Sequence, residues 1–79
     1  ISFYRRYNQN DKALAVIRQA IEKIPDNALF HSWLGDYYRK EGILYRAKEE
    51  YEQAAILEPK NDSYRRKLKK VELDIEFGN

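Results

Sequence analysis

The 79 residues contain no cysteine, one histidine, one tryptophan, two prolines and three glycines. The missing cysteines exclude disulfides and thiolate metal sites, and a single histidine excludes a histidine cluster. No metal or other cofactor is therefore expected. Absence of cysteine fits a reducing compartment, and a cytoplasmic location is the expectation. No run approaches the roughly 18 apolar residues of a membrane-spanning helix, and no signal-peptide pattern opens the chain. A glycine-rich loop that could cradle a phosphate is also missing. The net charge of +2 is too small by itself to argue for nucleic acid. The first residue is Ile1 rather than methionine, so the chain is expected to be an excerpt of something longer.

What is present is 43% hydrophobic and 35% charged residues, too apolar for disorder and too charged for a membrane interior. A chain this short forms one domain, burying about 60% of its unfolded surface around a thin core. Sustained alternation of apolar and polar residues is nowhere found, whereas helical spacing is everywhere. Ala13, Ile17, Ala20, Ile21 and Ile24 fall on one face, as do Ala47, Tyr51, Ala54 and Ala55, and Tyr64, Leu68, Val71 and Ile75. Pro25-Asp26-Asn27 and Pro59-Lys60-Asn61-Asp62 each end one helix and offer a capping side chain to the next. Asn8-Gln9-Asn10-Asp11 and Gly42-Ile43 supply the remaining turn signals. These signals predict an all-α chain of five helices, near 1–7, 11–24, 28–41, 44–57 and 62–76.

An internal repeat runs through the pattern. Tyr4 and Tyr38, Asn8 and Gly42, Ala13 and Ala47, Ala20 and Ala54, and Pro25 and Pro59 are all 34 residues apart. Phe3 and Tyr37, Phe30 and Tyr64, Leu34 and Leu68, and Asn27 and Asn61 share that offset. Residues 28–61 resemble a tetratricopeptide repeat, a 34-residue helix–turn–helix unit, through Leu34-Gly35, Tyr38, Gly42, Ala47, Tyr51, Ala54 and Pro59. Gly35 and Ala47 are expected to let two antiparallel helices approach, with Tyr38 and Tyr51 filling the space beside them. Residues 1–27 read as the partial preceding repeat and residues 62–77 as a capping helix in which Lys69 replaces the small Gly35. The resemblance implies helix–turn–helix repeats stacked as a short right-handed superhelix, an α-solenoid fragment. Two features depart from the family pattern. His31 stands where the family has its usual tryptophan, and Trp33 appears two residues later.

Nothing in the chain points to catalysis, and a non-enzyme is expected. His31 and Ser32 are adjacent, and helical neighbours point about 100° apart, so they form no nucleophile–base pair unaided. Glu49 and Glu50 sit beside Arg46 and Lys48, as on a solvated face. Function is then expected on a surface. The resemblance implies that the first helix of each repeat lines a concave groove that receives a partner's extended or helical segment. Leu29, Ser32, Trp33, Asp36 and Lys40 form the stripe of the central repeat available to that side. The 34-residue offset adds Ser63, Arg66, Lys67, Lys70 and Asp74 from the last helix, and Ser2 and Arg6 from the first. Five bases against two acids make this predicted groove more positive than the rest of the chain. Trp33 is the expected anchor, the alternative being that it is buried in the space His31 leaves underfilled. Some family members clamp a chaperone's terminal carboxylate with asparagine, lysine and arginine at positions that here hold Ser2, Asp36, Ser63 and Lys67. Only Lys67 suits that task, so this activity is not carried over.

The last helix has Arg65, Arg66 and Lys67 in its first half and Glu72, Asp74 and Glu76 in its second. This opposes the helix dipole, and Arg65–Lys69 and Arg66–Lys70 are like-charge pairs one turn apart. Either the bases serve a partner, or Glu49, Glu50 and Glu52 on the preceding helix neutralise them. The expected function is a protein-interaction module, a scaffold or adaptor, binding an acidic or amphipathic segment in a basic groove. Repeat stacking that builds a homo-oligomer or a longer array is the rival reading. RNA binding by the last helix is a weaker third, since no stacking-platform motif accompanies the charge.

Overall fold

The computed structural model describes the backbone of residues 2–78 and the side chains of residues 12–78. Four helices follow one another: α1 (Ser2–Lys23), α2 (Ala28–Lys40), α3 (Leu44–Leu57) and α4 (Asp62–Phe77). Each packs against its neighbour in the chain, and no strand occurs among the described residues.

The expected five helices are four because the first two are one. α1 runs unbroken through Asn8-Gln9-Asn10-Asp11. Asn8 corresponds to Gly42 at the 34-residue offset, but only Gly42 takes a positive φ, +81°. Asparagine, glutamine and aspartate lower helix propensity by at most about 0.7 kcal/mol each, and without glycine or proline they do not stop a helix. The other boundaries agree with the sequence signals within a residue or two. Asn27 Oδ1 accepts from the Phe30 amide at 3.2 Å, and Asn61 Oδ1 from the Ser63 amide at 3.0 Å. α2 ends with Gly42 N–H donating to the Arg39 carbonyl and Ile43 N–H to that of Tyr38, at 3.1 and 2.8 Å. Those two bonds make a Schellman cap, which needs the left-handed backbone that glycine adopts without a Cβ clash.

The core lies where α2 and α3 meet. Leu34, Tyr38, Ala47, Tyr51 and Val71 form one buried cluster, and Leu14, Ile17, Ile21 and Leu68 close over it. Ala28, Ala54 and Tyr64 form a second beside it. A Cβ on Gly35 would lie 2.6 Å from Tyr51 Cε1, so the bare backbone of α2 is what lets the ring approach it. Tyr51 is consequently the largest fully buried side chain described.

Candidate functional site

The exposed stripe of α2 is set by its packing. With Leu34, Gly35 and Tyr38 buried, Leu29, Trp33, Asp36 and Lys40 are left on the solvent side. Leu29 and Trp33 are each 44% exposed. The Trp33 ring leans on Phe30 with centroids 5.3 Å apart and planes tilted by 41°. Ala13 of α1 joins Trp33, Asp36, Tyr37 and Lys40 around a shallow cleft of about 290 Å³. Trp33 does not fill space left by His31. That histidine is engaged by both ring nitrogens, Nδ1 lying 2.8 Å from Glu50 Oε1 and Nε2 2.8 Å from the Pro25 carbonyl oxygen. It thereby ties α3 and the α1–α2 turn to α2.

Behind the cleft, side chains bridge α2 to α4. Lys67 Nζ donates to both Asp36 carboxylate oxygens, at 3.1 and 3.3 Å, and to Ser32 Oγ at 3.3 Å. The Tyr51 hydroxyl donates to Asp36 Oδ1 at 2.5 Å, and the Lys67 ammonium lies 6.0 Å from the Tyr51 ring centroid. One helical turn along, Arg39 meets Asp74 at 3.4 Å. Burial first, and then the bond to Asp36, hold the Tyr51 phenol well above the ordinary tyrosine range.

The predicted groove residues therefore separate into three groups. Leu29, Trp33, Asp36 and Lys40 come together as one exposed stripe. Ser32 does not belong to it: it is 1% exposed, because its small side chain turns inward beneath Lys67. On α4, Lys67 turns to α2, whereas Arg66 and Lys70 turn away and line a separate hollow with Arg65, Lys69 and Leu73. Positions 66, 67 and 70 share a broad stripe in sequence, but Lys67 and Asp74 are the edge of it that faces α2. Ser63 is exposed beside the Asn61 cap. The side chains of Ser2 and Arg6 lie outside the described residues. The positive excess assigned to the groove is thus found on the outer side of α4. Glu49, Glu50 and Glu52 do not neutralise it, since no ion pair described joins α3 to α4 and Glu50 is taken by His31. No motif marks the bridge of Asp36 to Lys67 and Tyr51; its one signal in the sequence is an acid and a base 31 residues apart, on the two helices that the 34-residue offset relates.

A known protein resembles the chain over part of its length. No protein-family model matches it. Over 37 residues, 47% of this chain, it is 46% identical to the human interferon-induced protein with tetratricopeptide repeats 2. The matched stretch is 8% of that relative, so the chain spans under a tenth of its length. This local similarity, the 34-residue offset and the packed helices together give the chain a tetratricopeptide-like character. No helix among the described residues is long and apolar enough to cross a membrane.

The buried Tyr51 phenol makes stability depend on pH. Its proton is held more tightly in the folded chain than in the unfolded one, where the phenol titrates near 10. That contribution to stability is complete below about pH 10 and is lost as the pH rises further, by about 1.4 kcal/mol per unit. Tyr51→Phe removes the dependence. Tyr64, also shifted upward by burial, titrates in both proteins and cancels. Urea unfolding should show the wild type ahead of Tyr51→Phe at pH 8, with the gap narrowing by pH 11. A constant gap would mean that the folded chain holds the Tyr51 proton no more tightly than the unfolded one.

Proposed function

We propose that the chain is a non-catalytic protein-interaction module of tetratricopeptide-like helix–turn–helix repeats, acting as a scaffold or adaptor. Its concave side runs along α2 and receives an amphipathic, acidic segment of a partner. The observation that carries this reading is Trp33, an indole left 44% exposed in a cleft with Tyr37 and Lys40. A partly exposed indole beside a cation is the composition of an interface anchor. Lys40 has no carboxylate partner among the described residues, whereas Asp36 is held by Lys67 and Tyr51. The charge left for a ligand to answer is therefore positive, and a carboxylate beside an apolar side chain answers it.

Two further observations favour binding over chemistry. The Ser32 hydroxyl is buried under Lys67, whose ammonium Asp36 holds, and His31 has both nitrogens occupied. Neither offers a free nucleophile or base.

Titration of a short acidic peptide carrying one aliphatic anchor tests the proposal. Trp33→Ala should weaken binding by about 2 kcal/mol or more. Lys40→Ala should weaken it less, mainly through slower association that added salt further reduces. Lys60→Ala, in the α3–α4 turn, should leave affinity unchanged. A half-exposed indole is not what holds the core together, so Trp33→Ala should melt near the wild-type temperature. Wild-type affinity in a folded Trp33→Ala protein would remove the cleft from consideration.

A further inference from the structure

The hollow on the outer side of α4 has a history in the repeat. Asp62, Arg65, Lys69 and Lys70, four of its lining residues, lie 34 positions after Ala28, His31, Gly35 and Asp36. Those four are where α2 holds α3: Ala28 shares a cluster with Ala54, His31 meets Glu50, Gly35 lies against the Tyr51 ring, and Asp36 accepts from the Tyr51 hydroxyl. α4 therefore presents, to solvent, the repeat equivalent of a helix seat.

The chemistry of that seat has changed. At Gly35 the missing Cβ admits an aromatic ring to the backbone. At Lys69 a full side chain stands in the same place, so no helix can dock on α4 as closely as α3 docks on α2. A wider approach meets three cations, Arg66, Lys69 and Lys70, which have no ion-pair partner among the described residues; Arg65 alone is tied back, to Asp62 at 2.6 Å. The same face carries apolar side chains one turn apart, Leu73 at 43% and Phe77 at 68% exposure. These lie on the side of α4 opposite Tyr64, Leu68, Val71 and Ile75, so they are not an overflow of the core stripe. The clustered bases work against the helix dipole and against one another. No carboxylate of α3 relieves them.

We propose that this face of α4 docks an acidic amphipathic helix of a partner protein. Its carboxylates would lie against Arg66, Lys69 and Lys70, and its apolar stripe against Leu73 and Phe77. The surface is separate from the Trp33 cleft and stands whether or not that cleft binds a peptide. Leu73 and Phe77 favour a protein helix over a phosphate backbone, which would use the cations and leave the apolar pair idle.

The test uses a fluorescein-labelled synthetic helix of eighteen or so residues, leucines along one face and glutamates flanking them, with a scrambled peptide of equal composition. Anisotropy titrations with the whole chain should show the helical peptide binding more tightly than its scramble. Lys69→Glu with Lys70→Glu should weaken binding about tenfold or more, and Leu73→Ala and Phe77→Ala should each do so severalfold. All four positions are exposed, and circular dichroism checks that the variants stay folded. Four results would overturn the proposal. Helix and scramble could bind equally, or binding could fall in Trp33→Ala and not in Phe77→Ala, which assigns the peptide to the cleft. A single-stranded RNA oligomer could bind more tightly than the peptide and ignore Phe77→Ala, which makes the face a nucleic-acid surface. Sedimentation could show a dimer that Lys69→Glu dissociates, which makes the occupant a second copy of this chain.

Discussion

Tyr51→Ala is expected to remove most of the chain's folding free energy. Tyr51 is fully buried, sits in the cluster that joins α2, α3 and α4, and donates to Asp36. Truncating a buried aromatic to alanine costs about 3–5 kcal/mol, because the transfer energy is lost and a cavity remains. Native stability is commonly about 5–15 kcal/mol, and a thin core of this size belongs at the low end. The Asp36–Lys67 pair is half exposed and worth at most about 1 kcal/mol, so it does not compensate. Tyr51→Phe keeps the ring and loses only the bond to Asp36, so it should remain folded. Far-UV circular dichroism with urea titration reads both. A Tyr51→Ala protein as stable as Tyr51→Phe would mean that the ring is not what holds α2 to α3.

The contrast between Tyr51 and Asn8 explains what the sequence could and could not reveal. Tyr51 belongs to a packing constraint: a glycine, an alanine and two tyrosines at fixed spacing leave one way for two helices to meet. The caps are equally local, and Asn27 and Asn61 act as their positions after Pro25 and Pro59 indicate. The 34-residue offset identifies equivalent positions, but equivalence of position is not equivalence of conformation. Gly42 turns because glycine tolerates a positive φ, whereas Asn8 at the same register stays helical and α1 runs through. The predicted groove met a similar limit. A stripe drawn at steps of three and four spans about 100° of helix, wide enough to include both Lys67 and Arg66. Which edge faces α2 depends on how far α4 is rotated about its own axis. That rotation is fixed by Tyr64, Leu68 and Val71 against α3, a tertiary fact with no local signal. The pairing of Lys67 with Asp36, and the transfer of positive charge to the outer face, both follow from it.

Gly35→Ala should destabilise the chain even though alanine is the better helix former. In an isolated helix the substitution gains about 1 kcal/mol. Here the new Cβ would lie 2.6 and 2.7 Å from Tyr51 Cε1 and Cδ1 and 3.1 Å from Cζ. Contacts that short force the ring or α3 to move, and Tyr51 has no room to move because it is fully buried. Overpacking of this kind typically costs about 1–3 kcal/mol. Contacts under 3 Å place the cost in the upper part of that range, so the net effect should be a loss of up to about 2 kcal/mol, visible as a lower urea midpoint. The mechanism predicts a reversal of sign. When Tyr51 is alanine the colliding atoms are gone, and Gly35→Ala should then raise the midpoint, by propensity and by partly filling the cavity. Trimethylamine oxide, which strengthens burial by exclusion from the surface, keeps the Tyr51→Ala background folded enough to measure. Residues in direct contact are where double-mutant cycles depart from additivity, and the departure here should exceed about 1 kcal/mol. If Gly35→Ala lowered stability equally in both backgrounds, the ring would not be the cause, and the close approach of α3 to α2 at Gly35 would not be what the glycine provides.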